Sequence, residues 1–599
     1  MSDTPAGGRS DFDAADRGFI GALDPAVVTA EDGRVVWDND AYAFLAGDCP
    51  DTAHPGLWRQ GQLVSRQGLY RVTDGIFQVR GLDLSNMTLV EGTTGVIVID
   101  PLISKETAAA ALALYRRHRG DRPVTAVIYT HAHVDHFGGV HGVVTDDVPI
   151  IAPEGFVESA VSENVYVGTA MSRRALYMYG SALAKGPAGQ IGCGLGMTTS
   201  TGSIGLIPPS ALITRTGQEE TVDGIRILFQ LTPGTECPAE MNFLFPDQRA
   251  LCMAENATRN LHNLVTLRGA LVRDARVWSA YLDEAITLFS GRCDVAFASH
   301  HWPTWDRGPI IEYLSLQRDL YAYLHDQTLR LINQGCTAVE AAELLEMPPA
   351  LEAAWHTHGY YGSVSQNVKA IYQRYIGWFD GNPAHLWQHP PTERAVRYVD
   401  CMGGADEVVS KARGYVEVDD LRFAAELLNH VVFAAPDHPE ARQLLADVYD
   451  RLGFGAENGT WRNFYLTGAH ELRNGIVAVP LTAGSPEVLS ALTVEQLFDA
   501  IAIRVNGPRA WREQLTIDWR FTDLDRTHRT TLRNGVLIHR IHEGDADADL
   551  TLTLARPQML ALLTGQGFDQ IGHAGDLEVV GRLLGVLDTP DRNFAIVTP

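Results

Sequence analysis

Several things this sequence lacks narrow it before any motif is read. No stretch approaches roughly eighteen consecutive apolar residues, so no membrane-spanning helix is expected. The N-terminus, "MSDTPAGGRSDFDAADRGFIGALD", has no basic region followed by an apolar run, which is the mark of a secretory leader. A cytoplasmic location is the expectation, or a periplasmic or secreted one if the chain is a processed form. Cysteine is sparse and unpatterned. Cys49, Cys193, Cys237, Cys252, Cys293, Cys336 and Cys401 are an odd, scattered set with no CxxC pair, which argues against a disulfide framework and a cysteine-based zinc site. A basic excess is missing too. The formal net charge is -25, spread along the chain, whereas a nucleic-acid partner requires a cationic footprint.

What is present is ordinary in bulk and specific in places. At 599 residues the chain is too long for one core, and at about 150 residues per domain it holds roughly three or four units. Apolar residues at 45% and charged residues at 20% fit a soluble globular protein.

Residues 1–64 mix short polar and apolar pieces and read as an N-terminal arm. From "GLYRVTDGIFQVRG" onward, β-branched runs separated by Gly, Asp or Asn predict strands at 68–80, 85–91 and 94–100. "ETAAAALALYRRHRG" predicts a helix ending at Gly120, and "PVTAVIYT" predicts a buried strand. Further strands are expected at 225–231, 248–253 and 294–299, with helices near 273–290, 310–334 and 364–379. This alternation is an α/β pattern and defines a first domain over 65–390. The Pro- and His-rich stretch "DGNPAHLWQHPPTER" closes that domain. Residues 391–478 read as entirely helical, with one imperfect helical pair of tetratricopeptide type, a plausible surface for dimerisation. Residues 479–599 read as an α+β module with a curved antiparallel sheet.

The chemistry is concentrated in "THAHVDHFGG", residues 130–139, at the end of the strand "PVTAVIYT". His131 and His133, at i and i+2, share one side of an extended segment and can face one cation. Asp135 and His136 then turn toward a second. Imidazole with carboxylate suits zinc best, with iron or manganese as alternatives.

The pattern HxHxDH resembles the metallo-β-lactamase superfamily, whose αββα fold agrees with the alternation above. That family supplies further ligands from turns after later strands: a histidine in a "TPGH"-like turn, a bridging aspartate and a final histidine. Here "TPGTE" places Glu236 one position beyond the expected histidine, "AEN" places Glu255 where the aspartate would stand, and "HHWP" offers His300 or His301. The glutamate pair, with "TPGTECPAEMN", "AENATRNLHNLVTLRG", "SHHWPTW" and "QRDLYAYLHDQTLRLINQG", is similar to one branch, the type III alkyl sulfatases. The resemblance spans about residues 60–599 and implies three parts in order: an αββα metallo-β-lactamase catalytic domain, an all-α helical dimerisation domain and an α+β sterol-carrier-protein-like domain.

It also implies two Zn2+ ions per chain. His131, His133 and Glu236 would bind one; Asp135, His136 and the final histidine would bind the other, with Glu255 reaching both or bracing the site. His300 is favoured as that final ligand because it directly follows the strand, which leaves His301 to line the pocket. A water between the two metals loses a proton near neutral pH and becomes the nucleophile. The implied reaction is hydrolysis of linear alkyl sulfates, dodecyl sulfate among them, to alcohol and sulfate by a homodimer. A phosphodiesterase or lactamase on the same fold and a non-catalytic lipid-binding protein are the alternatives. The sulfate needs cations or donors, for which Arg268, His262 and Asn263 are candidates, and the leaving oxygen needs a proton from His262, His356 or His358. Gln366 stands where the family pattern has a histidine, and a neutral amide there would weaken the charge complement to sulfate. Met171, Met178, Leu195, Met197, Phe243 and Trp302 are candidates for an apolar channel, and Arg173, Arg174, Tyr177 and Tyr179 for its wall.

Overall fold

The computed structural model describes residues 9–145, 147–478, 486–544, 547–563 and 571–599. The chain divides into two compact units. One takes in the chain up to Ser159, Met171–Pro480 and Asn593–Pro599; the other takes in Ala160–Ala170 and Leu481–Arg592. The junction expected at 478/479 falls beside 479–485, outside the described residues.

Two sheets make the heart of the first unit. Strands Gly68–Thr73, Ile76–Arg80, Met87–Glu91 and Val96–Ile99 form an antiparallel meander. Val124–Ile128, Ile150–Pro153 and Ala211–Ile213 then add in parallel. The switch to parallel pairing needs a crossover, and the helix Lys105–Arg119 supplies it, capped by Ser104 and stopped at Gly120 with φ 93°. The second sheet runs from Glu219–Val222 through Ile225–Leu231, Met241–Phe245, Ala250–Cys252 and Val295–Phe297 to Thr304–Trp305. Ile97, Ile99 and Ile128 of the first sheet meet Ile227, Phe229 and Phe243 of the second in one continuous core. Helices Ala275–Phe289 and Arg307–Ile332 cover the outer face of the second sheet through Trp278, Leu282, Leu314 and Tyr321. The result is the expected αββα sandwich.

Residues from Arg9 to Val64 do not stand apart as an arm. Phe19–Gly21 pairs with Gly68–Thr73 as an edge strand, and Trp37, Tyr42, Leu57 and Trp58 are buried. The helix Pro55–Val64 carries too much apolar surface to be left in water, and its Gln60 donates to Gly194 O at 3.0 Å while accepting from Trp355 Nε1 at 2.9 Å.

Helices Pro391–Cys401, Ala405–Glu417, Leu421–Ala434, Pro439–Gly455 and Gly459–Asn474 follow, packed around Val408, Leu428, Val431 and Leu445. They belong to the same unit as the sandwich. In the second unit, Gln514–Phe521 pairs antiparallel with Arg526–Arg533 but parallel with Leu550–Leu554, so this sheet is mixed rather than purely antiparallel. No helix among the described residues is long and apolar enough to cross a membrane.

Candidate metal centre

Each segment expected to carry a ligand leaves the sandwich at the same edge. Val124–Ile128 runs into His131, and a short 3-10 turn, Val134–His136, follows. After Phe137 come Gly138 and Gly139, which must be glycine because the chain passes too close to its neighbours. A Cβ on Gly138 would sit 2.3 Å from Ile103 O, and one on Gly139 would sit 2.2 Å from Pro101 O.

Seven side chains converge here. His131, His133, Glu236 and Glu255 form one buried group; Asp135, His136, Glu255 and His300 form a second that shares Glu255. Glu236 Oε2 lies 2.7 Å from His133 Nδ1 and 3.2 Å from His131 Nε2. Glu255 Oε2 lies 3.4, 3.1 and 3.1 Å from Nε2 of His131, His136 and His300. Asp135 Oδ2 is 3.2 Å from His136 Nε2 and 3.6 Å from His300 Nε2.

The outer nitrogens of three histidines are already committed. Nδ1 of His136 faces Asp100 Oδ2 at 2.9 Å, Nδ1 of His300 faces Leu84 O at 3.1 Å, and Nδ1 of His131 lies 3.0 Å from Thr130 Oγ1. Thr130 spends its own hydroxyl proton on Asp100 Oδ2 at 2.7 Å, so its oxygen is the acceptor for His131. With Nδ1–H donating outward in each ring, the Nε2 lone pair points inward. Those three Nε2 atoms and Glu236 Oε2 are buried without a hydrogen bond. Lone pairs left so in a buried site are what a divalent cation takes up, and imidazole with carboxylate oxygen is a suitable donor set.

Electrostatics agree with a site built for positive charge. Burial pushes Glu255 up, but His300, His131, His136 and His262 together hold it well below its usual range. Burial works against Glu236 too, and Arg273 with His133 holds it low. Burial and the neighbouring His136 lower His131. Glu240, by contrast, is pushed up to about 8 by burial and by Glu236 and Glu255.

The remaining candidates are placed less uniformly. His262 is buried with Nε2 2.8 Å from Glu255 Oε1 and its ring against Trp278 and Tyr361. Asn263 gives its backbone and side-chain oxygens to Arg273, and its Nδ2 is buried without a hydrogen bond. Arg268 is partly buried, 3.4 Å from Met171 Sδ and 3.0 Å from Gly269 O.

His301 is not brought to the cluster. At φ 62° its backbone turns the ring away, so Nδ1 accepts from Arg259 N at 2.9 Å and Nε2 lies 3.2 Å from Gly194 O. Gln366 is also spent, its amide donating to Val265 O and accepting from Trp461 Nε1 at 3.1 Å, so it braces the segment that carries Asn263 and Arg268. His356 packs on Tyr313 and His358 pairs with Glu457 at 3.0 Å, and neither joins the two groups of converging side chains. Among the apolar candidates, Met178 and Leu195 cluster with Leu84, Ile103, Tyr179 and Tyr361. Phe243 belongs to the core between the sheets and Trp302 to a separate cluster with Trp355 and Tyr360. Arg173 and Tyr177 are tied to Glu471, at 2.7 and 2.6 Å, and Arg174 to Leu267 O.

Three residues that the sequence reading passed over matter most. Asp100 follows the apolar run "VIVI", the same strand-end signal that marks Glu236 and Glu255, and was open to the same inference. Arg273 and Glu240 carry no such signal.

The chain matches the family models "Metallo-beta-lactamase superfamily" over residues 80–300, "Alkyl sulfatase dimerisation" over 337–475 and "Alkyl sulfatase C-terminal" over 482–599. It is 46% identical to a linear primary-alkylsulfatase from Pseudomonas sp., over 100% of this chain and 91% of that one. It is 42% identical to an (R)-specific secondary-alkylsulfatase from Pseudomonas sp., over 100% and 92%. Among solved structures, the stereoselective inverting sec-alkylsulfatase Pisa1 from Pseudomonas sp. superposes with a TM-score of 0.97 at 41% identity, covering 100% of this chain and 96% of that one.

Proposed function

The chain belongs to the alkylsulfatase family, and from that premise we propose that it hydrolyses linear alkyl sulfate esters such as dodecyl sulfate to the alcohol and sulfate. Two zinc ions per chain are assigned to the centre: one to His131, His133 and Glu236, the other to Asp135, His136 and His300, with Glu255 reaching both. The observation that carries this is the set of inward Nε2 atoms of His131, His136 and His300 together with Glu236 Oε2, all buried and without hydrogen bonds. Each would cost about 1–3 kcal/mol if nothing took up its lone pair. When bound, the metal pair supplies the charge that ionises a water near neutral pH.

The chain's own residues handle the ester. A sulfate monoester carries one negative charge, which the Arg268 guanidinium offsets, while the unengaged Nδ2 of Asn263 donates to a sulfate oxygen. Arg273 holds the Asn263 oxygens and so turns that NH2 group to its task. His262 holds Glu255 in place, which gives it a positioning role in preference to proton delivery. Leu84, Ile103, Met178 and Leu195 offer the alkyl tail an apolar wall. Assembly as a homodimer is assigned to the segment that matches the dimerisation model, within which Trp378 and Trp387 are 75% and 96% exposed.

The test is sulfate release from dodecyl sulfate before and after chelation, with Glu255→Ala alongside. Activity is expected to fall to background with chelator, to return with zinc, and to be nearly lost in the variant. Full activity in Glu255→Ala would remove that residue from the site. Turnover of nitrocefin or bis-(nitrophenyl) phosphate in place of dodecyl sulfate would overturn the substrate class.

A further inference from the structure

Glutamate is an awkward ligand. It carries one more rotatable bond than aspartate, and fixing such a side chain costs up to about 2 kcal/mol of rotamer entropy. A centre that depends on two of them needs something to hold them still, and the surroundings of Glu236 and Glu255 are built that way. In each carboxylate one oxygen is restrained from outside and the other faces the histidines. Arg273 Nη2 donates to Glu236 Oε1 at 2.5 Å, which leaves Oε2 for His131 and His133. The same guanidinium donates through Nε to Glu236 O at 2.5 Å and through Nη1 to Asn263 O at 2.7 Å. His262 does the corresponding work on Glu255 Oε1.

The two glutamate-bearing loops are also joined to each other. Glu240, fully buried, accepts the Glu236 backbone N–H on Oε2 at 3.1 Å and the Glu255 backbone N–H on Oε1 at 3.1 Å. Thr235 Oγ1 donates to the same Oε2 at 2.7 Å. The Glu240 main chain forms an isolated β-bridge with His131 and accepts from Thr232 N at 2.9 Å. One residue therefore sits where three ligand-bearing segments meet, although it is turned away from the inward-facing atoms itself.

We propose that Glu240 and Arg273 are positioning residues that set the separation and reach of Glu236 and Glu255, and thereby the metal affinity of the centre. This rests on the assignment of those glutamates as ligands. Glu240 spaces the two main chains; Arg273 locks the Glu236 side chain and, through Asn263, couples it to the segment that meets the sulfate. Groups of this kind, behind the ligands, typically change metal affinity by roughly ten- to a hundred-fold when lost.

The test uses the full-length protein as purified, with zinc release to a chromophoric chelator as one readout and the visible spectrum of the Co2+-exchanged protein as the other. Glu240→Gln turns one acceptor into a donor facing an N–H, and Arg273→Gln removes the fork. Each is expected to lose zinc at roughly ten- to a hundred-fold lower chelator concentration and to shift the Co2+ bands. Arg273→Lys keeps the charge without the fork and is expected to recover part of both. Circular dichroism checks folding, and if Glu240→Gln does not fold, the graded Arg273 pair decides. Wild-type zinc retention and an unaltered Co2+ spectrum in Arg273→Gln would overturn the proposal. A wild-type chain that takes up neither metal would instead sink the ligand assignment on which it rests.

Discussion

Arg268 is the residue whose charge the proposed reaction needs most directly. Its guanidinium contacts Met171 Sδ and Gly269 O, and its charge works against the burial that pushes the Tyr179 hydroxyl up to about 12. Substitution here is expected to separate substrate handling from metal binding. Arg268→Ala should lower kcat/KM for dodecyl sulfate by about a hundred- to a thousand-fold, the loss seen when one donor to developing charge is removed. Zinc content should stay at the wild-type level. Steady-state kinetics with metal analysis of the same sample checks both, and a variant that loses its zinc would place Arg268 among the supports of the centre instead. His301 teaches the opposite lesson at this scale. Its position beside a strand end gave it the same promise as His300, yet one left-handed backbone angle sends its ring to Arg259 N and Gly194 O.

At the scale of elements, the turn Trp355–Thr357 and the loop between helices Pro439–Gly455 and Gly459–Asn474 are joined by the pair His358–Glu457. Burial lowers the His358 pKa, but Glu457 and the Glu352 carbonyl outweigh it, and the net direction is upward from 6.5. A histidine whose folded pKa lies above its unfolded value stabilises the fold below the unfolded pKa, and that contribution fades as pH rises through the folded value. Wild type should therefore be more stable than Glu457→Gln at about pH 6 and level with it at about pH 9. Denaturant midpoints measured across that range test this. Parallel curves for the two proteins would exclude the pair as the source.

The whole molecule leaves large apolar side chains in water within the match to the dimerisation model. Trp378, Leu386 and Trp387 lie between helices Val364–Ile376 and Pro391–Cys401, and Tyr398 is exposed on the second of these. Large apolar side chains exposed together over so short a stretch mark an interaction surface, and a second copy of the chain is the assigned cover. Trp387→Asp is expected to raise the monomer fraction in sedimentation velocity while leaving the zinc content unchanged. An unaltered dimer in the variant would move the interface elsewhere, and a wild-type monomer would end the assignment.

The order of elements was legible in the sequence because it depends on local periodicity. "VIVI" and "IRILFQL" read as strands and "ETAAAALALYRRHRG" as a capped helix from their own residues alone. The residues that gather at the centre were legible for a related reason: a polar residue directly after a buried strand is carried to the sheet edge, and His131, Glu255 and His300 all stand at or just beyond such ends. What only the tertiary structure decided is orientation and support. The packing of residues 9–64 against the sandwich, the rotation of His301, the use of Gln366 on Val265 and Trp461, and the grip of Arg273 and Glu240 on the two glutamates each depend on a partner from another segment. Local pattern carries no record of such partners, because a buried polar group is satisfied by whichever distant atom the folded chain brings within about 3 Å.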